Sequence, residues 1–527
     1  MTDGRGASRR GFLRMSGVAT LGGLIGGAIQ ARLALTDGRG AAPVATPVLP
    51  TDTPTETAPV ATPVLPTDTA SALPTAAPPS AAGPTALTVH DARAYGTRGD
   101  DATDDTDAIN AAIGAAAAAG GGIVYLPAGA YLVSPRPHPQ DGSYAPCLLM
   151  RRGVLLRGAG KDATTVRLVD HATPPPGSVC VYLALNATIN PAAADAARDE
   201  RMVVEDLTLD GNAARQTAVT CGLVWIGCRD VQHARVRVRD VYGTGSVGGR
   251  AETFFYEFQL GAEASYSFCE AVATAGSTAS GFSADSATGL TYVGCVASGL
   301  GVGSGFTHHA CAILRHTDCH AYGNAMYGFN SEDAEDVRYT GCVAGGRADV
   351  GGRGAFGARQ TLGNANAGFM VNGSRVVDLT GCSSRYNGGH GLWLAKETAG
   401  VRVMGGEYSA NTGWGITATT GATDIALSHE TRLAGNGAGA LQAQADLNTA
   451  SPFLYDSGWV RATTGGLALG HGLPSRPRAV TAYQAAGPAP ADDALVSVYP
   501  GVVSASAAHI VVPDATADAT YRIIATY

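Results

Sequence analysis

Between Ser265 and Thr419 one local pattern returns six times: Gly281-Phe282, Gly305-Phe306, Gly328-Phe329, Gly368-Phe369, Gly391-Leu392 and Gly415-Ile416. Five of these pairs follow a cysteine, namely Cys269, Cys295, Cys319, Cys342 and Cys382, spaced by 26, 24, 23 and 40 residues. The apolar members of the pairs are spaced by 24, 23, 40, 23 and 24 residues. The single 40 is a repeat of 23 with 17 residues added. A period in the low twenties, with β-formers after glycine, predicts stacked solenoid coils whose equivalent residues form ladders. The cysteines are expected to be such a ladder, packed as small buried thiols at a turn or inner strand.

The rest of the composition agrees. Of 527 residues, 71 are glycine, 15% are charged and 45% hydrophobic, which suits a turn-rich β protein with a large core. A net charge of −8 argues against a nucleic-acid partner. The ten cysteines form no CxxC pair and no small-domain disulfide pattern, so no metal site is expected from them.

At the N-terminus, Ser8-Arg9-Arg10-Gly11-Phe12-Leu13-Arg14 precedes a glycine-diluted apolar run from Met15 to Ile29. This resembles a bacterial twin-arginine export signal, and residues 1–35 are assigned to it. The expected location is extracellular or at the cell surface, with membrane contact only through an uncleaved signal. Residues 36–86 are rich in Pro, Thr and Ala, and the twelve residues Ala42–Thr53 recur identically at Ala58–Thr69. Closely spaced prolines keep such a chain extended, so this is expected to be a spacer.

Tyr95-Gly96-Thr97-Arg98-Gly99-Asp100-Asp101-Ala102-Thr103-Asp104-Asp105-Thr106 leads into an Ala-rich helix over Asp107–Ala119, with the acidic cluster read as its cap. Gly120-Gly121-Gly122 ends it, and Ile123–Leu126 and Ala130–Val133 read as strands. This stretch resembles the start of the pectate-lyase-like superfamily, which includes rhamnogalacturonases, phage tailspikes and alginate C5-epimerases. The resemblance implies an all-β fold: a right-handed parallel β-helix, here residues 87–450, capped by the N-terminal helix. Further on, Val203–Asn212 reads as one strand ending in a turn, and Pro135–Pro146 and Pro174–Ala197 read as loops. Residues 451–527 alternate short apolar runs with Pro/Gly/Asp turns, as in a small antiparallel sandwich-like domain. His471-Gly472-Leu473-Pro474 resembles the β-domains that end some tail fibres; capping of the coils, glycan binding or homo-oligomerisation are the roles it implies.

With each marker Phe or Leu pointing inward, residues one and three places later face outward on the same sheet. The first outward row is Ser283, Thr307, Asn330, Met370 and Trp393. The second is Asp285, His309, Glu332, Asn372 and Ala395. Tyr327 and His390 stand two residues before their markers, at the entrance to this face. Asp285, His309, Glu332 and Tyr327 are therefore the candidate catalytic residues, because carboxylates beside an imidazole can move protons on a sugar. Asn330, Asn372, His390 and Trp393 are candidate substrate-binding residues. So are Arg347, Arg353 and Arg359 of the 17-residue insertion, whose guanidinium groups would fork onto carboxylates of an acidic polysaccharide. Asp285 and Glu332, two coils apart, should have Cα atoms about 9.6 Å apart at the usual strand spacing. That is near the separation used by inverting glycosidases.

Alginate epimerases carry a Tyr-Gly-Phe-Asp-Pro-His segment. Tyr327-Gly328-Phe329 matches its first half, while Asn330 and Glu332 stand where those enzymes have the acid and the histidine. Polygalacturonases carry a Gly-His-Gly, which Gly389-His390-Gly391 resembles. These residues and the fold imply an exported protein acting on a uronate-containing polysaccharide, by hydrolysis or β-elimination. The alternatives are a glycan-binding adhesin or tailspike-like surface protein, and a uronate C5-epimerase. No cofactor is expected, and calcium dependence is open.

Overall fold

The computed structural model describes residues 87–527 except 179, 190–197, 244–252, 259–260, 275–279, 347–362, 429, 444–446, 449–453, 463–466, 471–478, 486–496, 499–502, 506–508, 513–518 and 527. The export signal, the spacer and the three insertion arginines thus lie outside the described residues. Residues 88–527 form one compact unit.

The chain is a right-handed parallel β-helix. Each coil lays one strand on each of three parallel sheets, which contain 13, 11 and 11 strands and are called here sheets 1, 2 and 3 in the order the chain visits them. Helix α1 (Thr106–Ala118) is amphipathic, burying Ile109, Ala112, Ile113 and Ala116 against the first coils. The acidic cluster caps it differently from the sequence expectation. Asp105, at the N-cap, makes no side-chain bond to the helix; its carboxylate accepts from the Arg98 and Gly99 amides at 2.8 and 2.9 Å and so fixes the preceding turn. Asp104 takes the helix end instead, accepting from the Thr106 amide at 3.0 Å.

All three corners of the coil obey one rule: a left-handed residue, then a small or polar residue turned inward. Where sheet 1 turns into sheet 2, Phe268, Gly294, Asp318, Gly341 and Gly381 have φ of 50 to 63°. Each precedes one of the five repeat cysteines. Each of these cysteines is fully buried and donates its thiol to the carbonyl two residues earlier, for example Cys319 to Thr317 at 3.4 Å. In the earlier coils Leu207 and Val236 occupy the same place, so the ladder is an apolar one, as expected. The same rule divides Val203–Asn212: Asp206, at φ 57°, is a corner, and the segment is two strands, Glu200–Glu205 and Thr208–Asp210, rather than one.

At the corner into sheet 3 the inward residue is asparagine. Asn324, Asn364, Asn387, Asn411 and Asn436 form a continuous chain of amide-to-amide bonds of 2.9, 2.9, 2.9 and 3.0 Å. This ladder is visible in the sequence as an asparagine near each Gly–apolar marker and was not among the sequence expectations. Where sheet 3 turns back to sheet 1, the inward residues are Cys228, Ala287, Cys311, Ala334 and Ser374, all buried.

The marker aromatics stack along the axis. Phe255, Phe282, Phe306, Phe329 and Phe369 lie 4.6, 4.7, 4.8 and 4.8 Å apart ring to ring. A second column, His233, Tyr266, Tyr292, His316 and Tyr339, meets the first edge-on, a favoured geometry worth about 0.5–1.5 kcal/mol per pair beyond burial. In the stretch expected to be loop, Val181–Asn186 is a strand of sheet 3, buried at every residue. Its Val-Tyr-Leu-Ala-Leu run is covered on both faces, so it shows no alternation, and the flanking Pro and Ala hide its bounds. Past residue 450 lie antiparallel sheets of four and three strands, whose buried Leu467, Ile510, Val512, Tyr521 and Ile523 join the core of the coils.

Candidate functional site on sheet 3

Register sets the site. Asp285 pairs with His309, His309 with Glu332, Glu332 with Asn372 and Asn372 with Ala395, in successive strands of sheet 3. Burial alternates as a pleated strand requires: Phe306 and His308 are fully buried, while Thr307 and His309 are partly exposed. The row is less open than expected at its ends, because Asp285 and Asn372 are only 8% exposed.

Each member of the row is the last strand residue before the left-handed corner into sheet 1. The corner residues that follow, Ser286, Ala310, Asp333, Gly373 and Lys396, all have positive φ. Asp333 and Lys396 therefore project beside the row, and the sequence reading missed both. Extending the row one residue past each strand end would have found them. Tyr256 was missed as well: it pairs with Ser283 and so heads the first outward row, one coil before the markers that were counted.

The acids and bases alternate. His309 Nδ1 is 3.5 Å from Asp285 Oδ1, and its Nε2 is 4.0 Å from Asp333 Oδ2. Asp285 also accepts from Ser286 Oγ at 2.7 Å. The adjoining Asp285 carboxylate raises the His309 pKa above its ordinary value, against partial burial, with Glu332 and Asp333 adding to the effect. Glu332 is held from the other side, accepting from Asn372 Nδ2 at 3.0 Å and Lys396 Nζ at 3.4 Å. Burial, and then the charge of Glu332, raise the Tyr327 phenol, while burial lowers the His390 imidazole. Burial and then Asp285 hold the Tyr256 phenol well above its usual value.

Beyond Glu332 the face turns aromatic. Tyr327, Met370 and Ala395 form a small outer cluster with Met326 and Trp393 packed on it. The Trp393 ring meets Tyr327 at 6.5 Å and His390 at 5.5 Å, both edge-on. His390 Nδ1 accepts from the Trp414 amide at 3.0 Å, which fixes that ring. Asn330 lies partly buried on the first outward row beside Thr307 and Met370. Among the described residues, no three His, Cys, Asp or Glu side chains converge as a metal site.

Three-sheet coils with a polar row on sheet 3 define a pectate-lyase-like parallel β-helix. Residues 89–304 match the family model described as rhamnogalacturonase A/epimerase, pectate lyase-like. Among characterised proteins, the mannuronan C5-epimerase AlgE4 of Azotobacter vinelandii is 37% identical over 160 residues, 29% of this chain and 26% of that protein. Alginate lyase 7 of the same organism is 41% identical over 118 residues, 22% of this chain and 12% of that protein. The chain thus spans about a quarter or less of the length of these relatives. The solved A-module of A. vinelandii AlgE4 covers 68% of this chain and 95% of its own, at 20% identity and a TM-score of 0.48.

Proposed function

We propose that this protein acts on an alginate-like polyuronate, removing the proton at C5 of a uronate residue and returning one to the opposite face, a C5-epimerisation. The observation that carries this reading is the Asp285–His309 pair, with Nδ1 3.5 Å from Oδ1 on adjacent strands. A carboxylate at Nδ1 favours the tautomer whose Nε2 is free to act as base, and it stabilises the imidazolium that forms. Lys396 and the protonated Tyr327 stand on the other side of Glu332. The lysine can neutralise the uronate carboxylate, which makes the C5 proton acidic, and the phenol can supply the returning proton. Trp393, with His390 behind it, offers an apolar ring face for a neighbouring sugar. The names of the relatives, mannuronan C5-epimerases and an alginate lyase, support the same substrate class.

A second reading, glycosidic cleavage by β-elimination, starts with the same proton abstraction and is favoured by the lyase relative. Hydrolysis is supported less well. It requires Asp285 and Glu332 to act across the scissile bond, and His309 stands on the strand between them. The twin-arginine segment and the spacer fit delivery to a polymer outside the cell.

The test is to incubate the protein with polymannuronate, alginate and pectate in D2O. Deuterium at C5 with new guluronate NMR signals is the expected result. Ultraviolet absorbance from unsaturated uronate would assign elimination instead. New reducing ends without either signal would mean hydrolysis. Retention on a polysaccharide gel with no chemical change would mean a binding protein, and the proposal would fail.

A further inference from the structure

The ladder thiols each have a task, donating to a carbonyl two residues earlier inside the coil. Cys180 and Cys221 are placed otherwise. Their Sγ atoms are 3.3 Å apart, on adjacent coils at the start of sheet 3. Val181 pairs with Thr220 and Tyr182 with Cys221, so the two sulfurs meet diagonally across the ladder. Both residues are buried but not sealed, at 3% and 6% exposure, whereas the repeat cysteines are at 0%. Cys221 is fixed within strand Thr220–Ile226. Cys180 lies just outside strand Val181–Asn186, after the partly exposed turn Pro174–Gly177.

We propose that Cys180 and Cys221 are a modification site, closing to a disulfide in the folded protein when a peroxide reaches them. A disulfide has an S–S bond of about 2.05 Å, so the sulfurs must approach by about 1.3 Å. The segment before Val181 can supply that movement, since it carries no ladder bonds of its own. In the first step one thiol sulfur attacks the peroxide; the O–O bond breaks, the sulfur becomes a sulfenic acid and one water leaves. The second thiol then displaces the sulfenic hydroxyl as a second water and forms the S–S bond. Two thiols together lose two electrons and two protons, and the peroxide takes up both to become two waters. Burial works against the same chemistry in the ladder, pushing the Cys295 and Cys342 thiols well above their usual range and leaving little thiolate. Closure ties the turn at Pro174–Gly177 to the strand beneath it and makes residues 180–221 a covalent loop, which restricts the unfolded chain.

The experiment treats the folded full chain with hydrogen peroxide, quenches it, alkylates all remaining thiols in denaturant and maps the peptides by mass spectrometry. The expected result is a Cys180–Cys221 linked peptide, with eight of the ten cysteines still alkylated. The thermal midpoint should rise by several degrees and fall back on reduction. Ten alkylated thiols, sulfinic or sulfonic acid at either position without a link, or a link through a ladder cysteine would each overturn the proposal. Cys221→Ser and, separately, Cys180→Ala should abolish the linked peptide and the midpoint shift. The wild-type map decides the matter even if either variant fails to fold.

Discussion

At His309 two demands meet on one imidazole. To remove a proton it must be neutral, yet Asp285 favours its charged form and raises its pKa. Activity is therefore expected to rise with pH as His309 loses its proton, at a pH above the ordinary imidazole value. Asp285→Asn removes the cause of the shift, so this acid limb should move to lower pH while the maximal rate falls. His309→Ala should cost roughly 10²–10⁴ in kcat, the usual weight of a general base. A pH–rate profile of the two variants checks both statements; an unmoved acid limb in Asp285→Asn would separate the pair. Trp393→Ala should raise KM with little change in kcat if that ring only holds a sugar. This row could be read before any coordinates because a period-2 strand fixes which side chains share a face. The corner residues Asp333 and Lys396 escaped because alternation stops where φ turns positive, and nothing in the residue types themselves announces that turn.

The strand–corner unit carries strain where a side chain occupies a position suited to glycine. The second residue of successive sheet 1 strands is left-handed throughout, with Gly289, Ile313, Asp336, Val376 and Gly400 in line at φ of 53 to 72°. Val376 is β-branched, 51% exposed and at φ 54°, so it gives up little packing. Val376→Gly is expected to stabilise the fold by about 1 kcal/mol, since left-handed backbone costs a non-glycine residue about 1–2 kcal/mol. Asn387→Ala should act in the opposite direction. Its amide bonds to Asn364 and Asn411 at 2.9 Å each, and orphaning buried partners costs about 1–3 kcal/mol per group, so roughly 3 kcal/mol should be lost. Denaturant midpoints at constant slope measure both. The coil period, the cysteine ladder and the capping helix were legible because each leaves a spaced residue type in the sequence. The strand Val181–Asn186 was not, since burial on both faces erases the alternation by which a strand is known.

For the whole molecule, acid is the expected weakness. His233 and His308 are completely buried and their pKa values are lowered to about 3 by that burial, and His316 is lowered well below its usual value. In the unfolded chain each would bind a proton below about 6.5. The neutral core is thus fully favoured above that pH, and stability falls as pH drops from about 6.5 towards 3, by about 1.4 kcal/mol per unit for each histidine. Urea midpoints should decline steeply below pH 6, and Tyr or Phe at position 316, which continues the ring column, should soften the decline. The scaffold carries the 17 extra residues very differently. Across them Phe329 still pairs with Phe369, and Asn324 still bonds to Asn364 at 2.9 Å, as between uninterrupted coils. The architecture behaves as a spool with a removable cassette: residues 347–362 can be shortened, exchanged or lengthened without rewinding the thread. A lineage of such proteins can therefore change what its groove grips while every coil beneath stays in register.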